Sequence, residues 1–342
     1  MKPSFILALF QHGYKVRTST LYHLLKGKRT SSVLLYGFFY NNLPFFQLFP
    51  ELSETQYNKI INELAEKHLL RLNSNGDAQI TAKGQQVIAS NQQYMWLDNY
   101  RLGRTDEAIW RLLQFTVQVV SQLSYSNKHY IPLEQSPLYQ NQVKMYIKSM
   151  PKAKLIERIK QEWQEIFSAL STEEANFFAR QFSGYKQIGK TSFQLLDMEN
   201  KAFDRFLIKK DRIHHLLKVI QKLPNNSFLK ELIRPLLKQN ENNSMNETRK
   251  YLNKHFSLDE LALQRGVKRS TVQDHLLEVA LTNDFPFERF ISNETVNFLD
   301  NFKPPYQEWD YRSLKQTKPE FDYFEFRLYQ IQKMKEERDK SR

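Results

Sequence analysis

FSLDELALQRGVKRSTVQDHLLEVA, residues Phe256–Ala280, has the spacing of a helix-turn-helix. Ser257 is followed three residues later by Glu260, and this capping-box pair predicts the start of a first helix. Ser270 is placed to cap a second helix. The stretch therefore predicts two short helices joined by a tight turn.

The turn is marked by three residues at characteristic spacing. Ala262 is small where two crossing helices must approach closely, and Gly266 follows four residues later, where the turn favours a left-handed backbone. Val272 comes six residues after Gly266 and fills the angle between the helices. The rest of the inward face is predicted to be Leu258, Leu261, Val267, Leu276 and Val279, with Tyr251 and Leu252 on a preceding helix.

The second helix of such a motif places its N-terminal residues at base edges in the major groove. The residues predicted to contact nucleic acid are Arg265, Lys268, Arg269, Ser270, Thr271 and Gln273. Asp274 and Glu278 on the same helix would oppose phosphate. The alternative is that the unit is a packing module with a solvated charged face, or that it contacts a protein.

The composition supports a helical protein with an anionic partner. The chain has 342 residues, enough for more than one core, and 50 basic residues against 37 acidic ones give a net charge of +13. Such a charge attracts polyanions, with nucleic acid as the first candidate and an anionic membrane surface as the second. The absence of cysteine excludes disulfides and thiolate metal sites. Only 9 glycines occur, and apolar residues recur at three- and four-residue spacing, which predicts amphipathic helices.

The N-terminal region has the element order of a winged helix. The segment LKGKRTSSV can form a turn between two short helices, and Ser53 is placed to cap a further helix. Leu69–Leu72, a turn at Asn73–Asp77, and Ala78–Ile80 then predict a β-hairpin.

The predicted fold is mainly α: a multi-domain helical protein with a winged-helix-like N-terminal region containing one small β-hairpin, and a C-terminal helix-turn-helix. The predicted domains are residues 1–95, winged-helix-like; 96–238, a helical middle domain; 245–300, the helix-turn-helix domain; and 301–342, a charged and aromatic tail.

Three further patterns in the middle domain have competing interpretations. Gly184, Gly189, Lys190 and Thr191 match the phosphate-binding loop G-x-x-x-x-G-K-T, but the charged amphipathic stretch before them is not the buried strand that this loop requires. Arg205, Lys209 and Arg212 form a weak basic stripe, which is either a phosphate contact or a solvated helix face. The adjacent His214 and His215 point to different sides of a helix, so a structural role is expected rather than a shared metal.

The C-terminal motif resembles the helicase-type helix-turn-helix found at the end of some bacterial RecQ-family helicases and in the YpbB family of Gram-positive bacteria. LYHLLKGKRTSS, Leu21–Ser32, resembles the opening of YpbB-like proteins, and SGYKQIGKTSFQLL resembles their middle more loosely. Ala262, Gly266 and Val272 match the frame of the motif. The resemblance implies a partner of a RecQ-like DNA helicase that acts in DNA recombination or repair.

The function predicted from the sequence is that of a non-enzymatic, cytoplasmic DNA-binding or helicase-docking accessory protein. DNA and a RecQ-like helicase are the expected partners, with no cofactor, no metal and no membrane association. A helix-turn-helix transcription regulator is the main alternative, and a nucleotide-binding protein with a phosphate loop is a minor one. The oligomeric state stays open.

Overall fold

The computed structural model describes residues 1–88, 94–196, 202–254 and 256–340, which form two compact units. Unit 1 is drawn from residues 1–14, 55–72 and 79–241, and unit 2 from residues 15–54, 73–78 and 242–342. Each unit combines separated parts of the chain, whereas the predicted domains follow one another along it. Because these units are not continuous stretches of chain, the predicted domain boundaries stay predictions.

Helices dominate the described residues, so the predicted mainly-α class is confirmed. In chain order the helices are α1 (Pro3–Ala8), α2 (Thr18–Lys26), α3 (Ser31–Phe39), α4 (Glu54–Glu66), α5 (Ala82–Ile88), α6 (Asn99–Leu102), α7 (Asp106–Ser124), α8 (Pro137–Lys148), α9 (Lys152–Ser168), α10 (Thr172–Ala179), α11 (Ser192–Leu195), α12 (Ala202–Lys222), α13 (Phe228–Lys238), α14 (Asn243–Arg249), α15 (Leu258–Arg265), α16 (Arg269–Thr282), α17 (Asn293–Leu299), α18 (Tyr311–Thr317) and α19 (Tyr323–Lys340). The strands are β1 (Val16–Arg17), β2 (Leu70–Leu72) and β3 (Asp77–Ile80).

The core of unit 1 is built around α7, against which α9, α12 and α13 pack. The apolar side chains of α7 recur at helical spacing, and Ile109, Leu112 and Leu113 are fully buried. Burying one such side chain stabilises the fold by about 1.5–3 kcal/mol. The middle of the chain thus has a continuous apolar core.

The strands form a small sheet of order β1-β3-β2. The β2–β3 hairpin lies where the sequence predicts it, and the Asn73 side chain stabilises its turn by accepting the backbone N–H of Asp77 at 2.8 Å. The two-residue strand β1 was not predicted, and it pairs antiparallel with β3 through Val16 and Ala78. The N-terminal hairpin is therefore confirmed, with an additional edge strand.

In unit 2 the C-terminal helices surround α16. Helices α14, α15 and α19 pack against it, and so does α3 from the N-terminal part of the chain. The fully buried Leu276 and Val279 of α16 lie in this core. The segment predicted as a charged and aromatic tail includes α18 and α19, and α19 buries Phe326 and Ile331.

The segment LKGKRTSSV forms a turn between α2 and α3, as predicted. α2 ends at Lys26, Gly27 follows in a left-handed conformation (φ 87°), and α3 begins at Ser31. Unit 2 therefore contains a helix pair from each end of the chain.

Candidate nucleic-acid interface

The first helix of the motif, α15, begins where the capping box predicts. The Ser257 backbone N–H donates to Glu260 Oε2 (2.7 Å), and the Glu260 backbone N–H donates to Ser257 Oγ (3.3 Å). Hydrogen bonds from Ser257 hold the pKa of Glu260 below its ordinary value. The charged carboxylate is favourable at this end of the helix, because the helix dipole is positive there.

The turn between α15 and α16 depends on Gly266. Its φ of 62° is left-handed, and it follows directly on the last residue of α15. The backbone N–H groups of Gly266 and Val267 donate to the carbonyls of Leu263 (3.2 Å) and Ala262 (3.1 Å), which satisfies the end of the helix. Val272 on α16 is fully buried. Ala262, Gly266 and Val272 thus occupy the places that their spacing predicts.

The second helix begins earlier than predicted. α16 starts at Arg269, and Lys268, with an extended backbone (ψ 149°), is its N-cap residue. Ser270 lies inside the first turn, so the prediction that it caps the helix is wrong. The reason is the early change of chain direction at Gly266, after which only Val267 and Lys268 separate the two helices.

The predicted contact residues on α16 differ in exposure. Lys268, Arg269 and Ser270 are exposed, whereas Thr271 and Gln273 are half-buried. The start of α16 is therefore the part of the motif that presents polar groups to a ligand.

Two of the predicted cations have protein partners. Arg269 Nη1 donates to both carboxylate oxygens of Asp259 (3.1 and 2.8 Å), which links the two helices of the motif. Arg265 donates from Nε to Thr248 Oγ1 (3.2 Å) and from Nη2 to the Ser244 carbonyl (3.1 Å), which fastens α15 to α14. Of the predicted cations of the motif, Lys268 is the exposed one outside these contacts.

Beyond its second turn α16 is covered by protein. His275, Leu277 and Leu281 are buried, and α14, α19 and α3 pack against the helix. A groove of DNA can therefore be met by residues 268–274 but not by the remainder of the helix.

The two acidic side chains expected to oppose phosphate are engaged inside unit 2. Glu278 is buried; its Oε1 accepts from Arg29 Nε (3.0 Å) and its Oε2 from Asn242 Nδ2 (3.1 Å). Asp274 accepts a hydrogen bond from the Ser31 hydroxyl. Sequence reasoning missed these contacts because Arg29 and Ser31 lie 249 and 243 positions away in the chain. The one sequence signal that links the two segments is that Leu21–Ser32 and the C-terminal motif both resemble the YpbB family.

His275 lies in the buried layer behind this surface. Its Nδ1 is 2.9 Å from Thr248 Oγ1. Burial lowers the pKa of His275 below its ordinary value of 6.5, against the opposing effect of the Glu278 carboxylate. The imidazole is thus neutral near pH 7 and belongs to the core of the motif.

The weak basic stripe lies on α12 in unit 1 and consists of Arg205, Lys209 and Arg212. Lys209 Nζ is 2.6 Å from Glu107 Oε2, and Arg212 forms an ion pair with Glu173. The Arg205 guanidinium lies 4.4 Å from the centroid of the Phe193 ring. These contacts tie α12 to neighbouring segments, and a phosphate-tracking role for the stripe stays a prediction.

The segment Gly184–Thr191 matches a phosphate loop in letters but not in geometry. The Gly184 N–H donates to the Gln187 carbonyl (3.0 Å), and the Lys190 N–H donates to the Arg180 carbonyl (2.8 Å). A phosphate cradle needs such N–H groups to point at the ligand, and it needs a strand before the loop. Within residues 94–196, the element before this segment is the helix α10. The geometry therefore does not support nucleotide binding at Lys190.

The adjacent histidines of α12 have structural partners. The Asp98 backbone N–H donates to His214 Nδ1 (2.9 Å), which leaves Nε2 to donate to Asp106 Oδ2 (2.9 Å). His215 Nδ1 is 2.8 Å from Glu174 Oε1. Across the described part of the chain, no group of three or more histidine and acidic side chains is arranged to hold a metal ion.

Comparison with known proteins agrees with the geometry of the motif. Residues 244–330 match a protein family described as a helix-turn-helix domain. The chain is also 22% identical to "Protein YpbB" of Bacillus subtilis (strain 168) over 323 residues, which cover 91% of each chain. This similarity confirms the resemblance predicted from the sequence. No solved structure matches the chain.

The helix-turn-helix match and the exposed polar start of α16 together indicate DNA binding. Among residues 1–88, 94–196, 202–254 and 256–340, no helix combines the length and the apolar character needed to cross a bilayer.

Proposed function

We propose that this chain is a non-enzymatic DNA-binding accessory protein that works beside a RecQ-like DNA helicase in recombination or repair. The observation that carries the proposal is the exposed start of α16, Lys268–Ser270, within a matched helix-turn-helix domain. The helicase partner rests on the resemblance of the sequence to the YpbB family. A cytoplasmic location is consistent with such a role.

The contacts available to DNA follow from the start of α16. Lys268 provides a cation for phosphate, and Ser270 provides a hydroxyl that accepts or donates. The Arg269–Asp259 pair is exposed on both sides, with 54% and 73% of the two side chains accessible, so it contributes less than about 1 kcal/mol. A phosphate can therefore take the place of Asp259 on Arg269.

This surface favours binding with little sequence preference. A sequence-specific recognition helix brings several side chains to base edges. Here α16 is covered from His275 onward, and Arg265 is bound to α14. Phosphate contacts at the start of the helix remain, and they position DNA without reading its sequence.

The test is a binding titration of the full chain with a labelled random-sequence duplex and a forked duplex at about 50 mM salt. We expect both to bind, and we expect Lys268→Ala to weaken both by a similar factor. The matched control is Lys128→Ala, which removes an exposed lysine from unit 1. If neither duplex binds, the DNA-binding proposal is overturned.

A second titration separates the accessory role from that of a transcription regulator. Selection from a random pool should recover no single preferred duplex, whereas an operator binder prefers its site by about 4–10 kcal/mol. Co-purification from the native cell should recover a RecQ-like helicase. Recovery of one strongly preferred duplex without a helicase would favour the regulator.

A further inference from the structure

The turn between α2 and α3 begins and ends like the turn between α15 and α16, although it is one residue longer. Each first helix ends at a left-handed glycine, Gly27 with φ 87° and Gly266 with φ 62°. Each second helix follows an extended N-cap residue, Thr30 with ψ 152° and Lys268 with ψ 149°. Unit 2 thus contains two helix pairs that are built alike, one from each end of the chain.

Two adjacent basic residues also lie at each turn, and in each pair the arginine contacts a carboxylate. In the first turn Arg29 binds the buried Glu278, and its guanidinium lies 5.7 Å from the centroid of the Phe46 ring. In the second turn Arg269 binds Asp259. The lysines of the two pairs, Lys28 and Lys268, are exposed.

The first turn contacts α16, which is the helix that follows the second turn. Arg29 contacts Glu278 near the middle of α16, and the Ser31 hydroxyl contacts Asp274, one turn closer to its start. Glu278, the partner of Arg29, lies ten positions after Lys268, which is about 15 Å along a helix axis. Long lysine side chains near these two positions can reach the two edges of a major groove about 12 Å wide.

The charges along this helix favour an anionic partner. Arg29 neutralises Glu278, and Arg269 pairs with Asp259. Asp274 is exposed and keeps its negative charge, since its hydrogen-bond donor is the neutral Ser31 hydroxyl. Lys28 and Lys268 add two exposed cations beyond these ion pairs.

We propose that Lys28 forms a second phosphate contact of the same DNA site, so that the interface is composed of residues from both ends of the chain. This inference rests on the proposed DNA-binding function. Lys268 contacts the backbone on one side of the groove and Lys28 contacts it on the other. The segment matched as a helix-turn-helix domain, residues 244–330, then holds only part of the site.

The test compares three single variants of the full chain, Lys28→Ala, Lys268→Ala and Lys128→Ala, by titration with a random-sequence duplex over a series of salt concentrations. Loss of one phosphate contact lowers the slope of log K against log[salt] by about 0.9 and weakens binding by about 5- to 10-fold near 0.1 M salt. We expect this change for Lys28→Ala and for Lys268→Ala, and an unchanged slope for Lys128→Ala. Circular dichroism confirms that each variant is folded.

The outcomes separate this inference from the function on which it rests. If Lys268→Ala weakens binding and Lys28→Ala does not, the composite site is overturned while the DNA-binding function stands. If Lys28→Ala and Lys128→Ala weaken binding equally, the effect of Lys28 is one of general charge and the composite site is again overturned. If the unsubstituted chain does not bind the duplex, the proposed function itself fails.

Discussion

At the scale of single residues, Gly266 supports the turn through its backbone alone. Its φ is 62°, and a Cβ added there would meet no atom within 4 Å. Gly266→Ala should therefore cost only the strain of a left-handed alanine, about 1–2 kcal/mol. Gly266→Asn should cost less, because asparagine tolerates this conformation. Urea denaturation of both variants measures the difference, and an equal loss in both would contradict a purely conformational role.

His275 makes the stability of unit 2 depend on pH. Burial lowers its pKa below the ordinary value of 6.5, so the unfolded chain binds this proton more readily than the folded chain does. The stabilisation from a neutral buried imidazole is complete above pH 6.5 and is lost as the pH falls through the lowered folded-state pKa.

His275→Gln should remove this contribution. We expect the melting temperature of the unsubstituted chain to fall between pH 7.5 and pH 5.5, and that of the variant to fall less, where these limits bracket the ordinary histidine pKa of about 6.5. Differential scanning calorimetry in the two buffers measures both changes. An equal fall of the melting temperature in the two proteins would show that His275 does not contribute to the pH dependence of stability.

At the scale of elements, the Arg29–Glu278 pair joins the turn between α2 and α3 to α16. The Glu278 side chain is 6% exposed, so removing its cationic partner leaves a buried carboxylate. Arg29→Met should cost about 2 kcal/mol, and a double-mutant cycle with Glu278→Gln should give a coupling energy of about 1–2 kcal/mol. The control is the exposed Arg234–Glu231 pair, for which a coupling below about 0.5 kcal/mol is expected. Equal coupling energies in the two cycles would contradict a specific interaction between Arg29 and Glu278.

Elements fixed by short-range rules could be predicted from the sequence. The capping box at Ser257, the left-handed Gly266 and the hairpin turn at Asn73 each depend on residues fewer than five positions apart. The inward position of Val272 follows from helical periodicity. Such features are predictable because the interactions that produce them lie within one turn or one helix.

Features that depend on contacts between distant segments could not be predicted. The sequence marks Glu278 as a charge opposed to phosphate, yet the fold buries it against Arg29. It also predicts a charged and aromatic tail over residues 301–342, yet the fold forms α18 and α19 there and buries Phe326 in unit 2. Neither partner is encoded by periodicity or spacing, because many pairings of amphipathic helices satisfy the same pattern. The helix-turn-helix was therefore located correctly in the chain, while the residues that neutralise or cover its second helix were not foreseen.

At the scale of the whole molecule, the net charge of +13 overstates the charge available to DNA. Lys209 and Arg212 of the basic stripe each form an ion pair with a carboxylate, and Arg29 pairs with the buried Glu278. Lys268, by contrast, is exposed at the start of α16. We therefore expect phosphate contacts to be few and concentrated in unit 2.

A small number of contacts predicts a shallow dependence of DNA binding on salt. For two or three phosphate contacts, the slope of log K against log[salt] should be about −2 to −3, and raising the salt from about 50 to 200 mM should weaken binding by about 10- to 40-fold. Titration of the full chain with a random-sequence duplex measures the slope. The control is Lys209→Gln, which removes a cation already paired with Glu107 and should leave the slope unchanged. A slope steeper than about −5 that becomes shallower in Lys209→Gln would show that the stripe on α12 contacts DNA, because counterion release counts every phosphate that the protein neutralises.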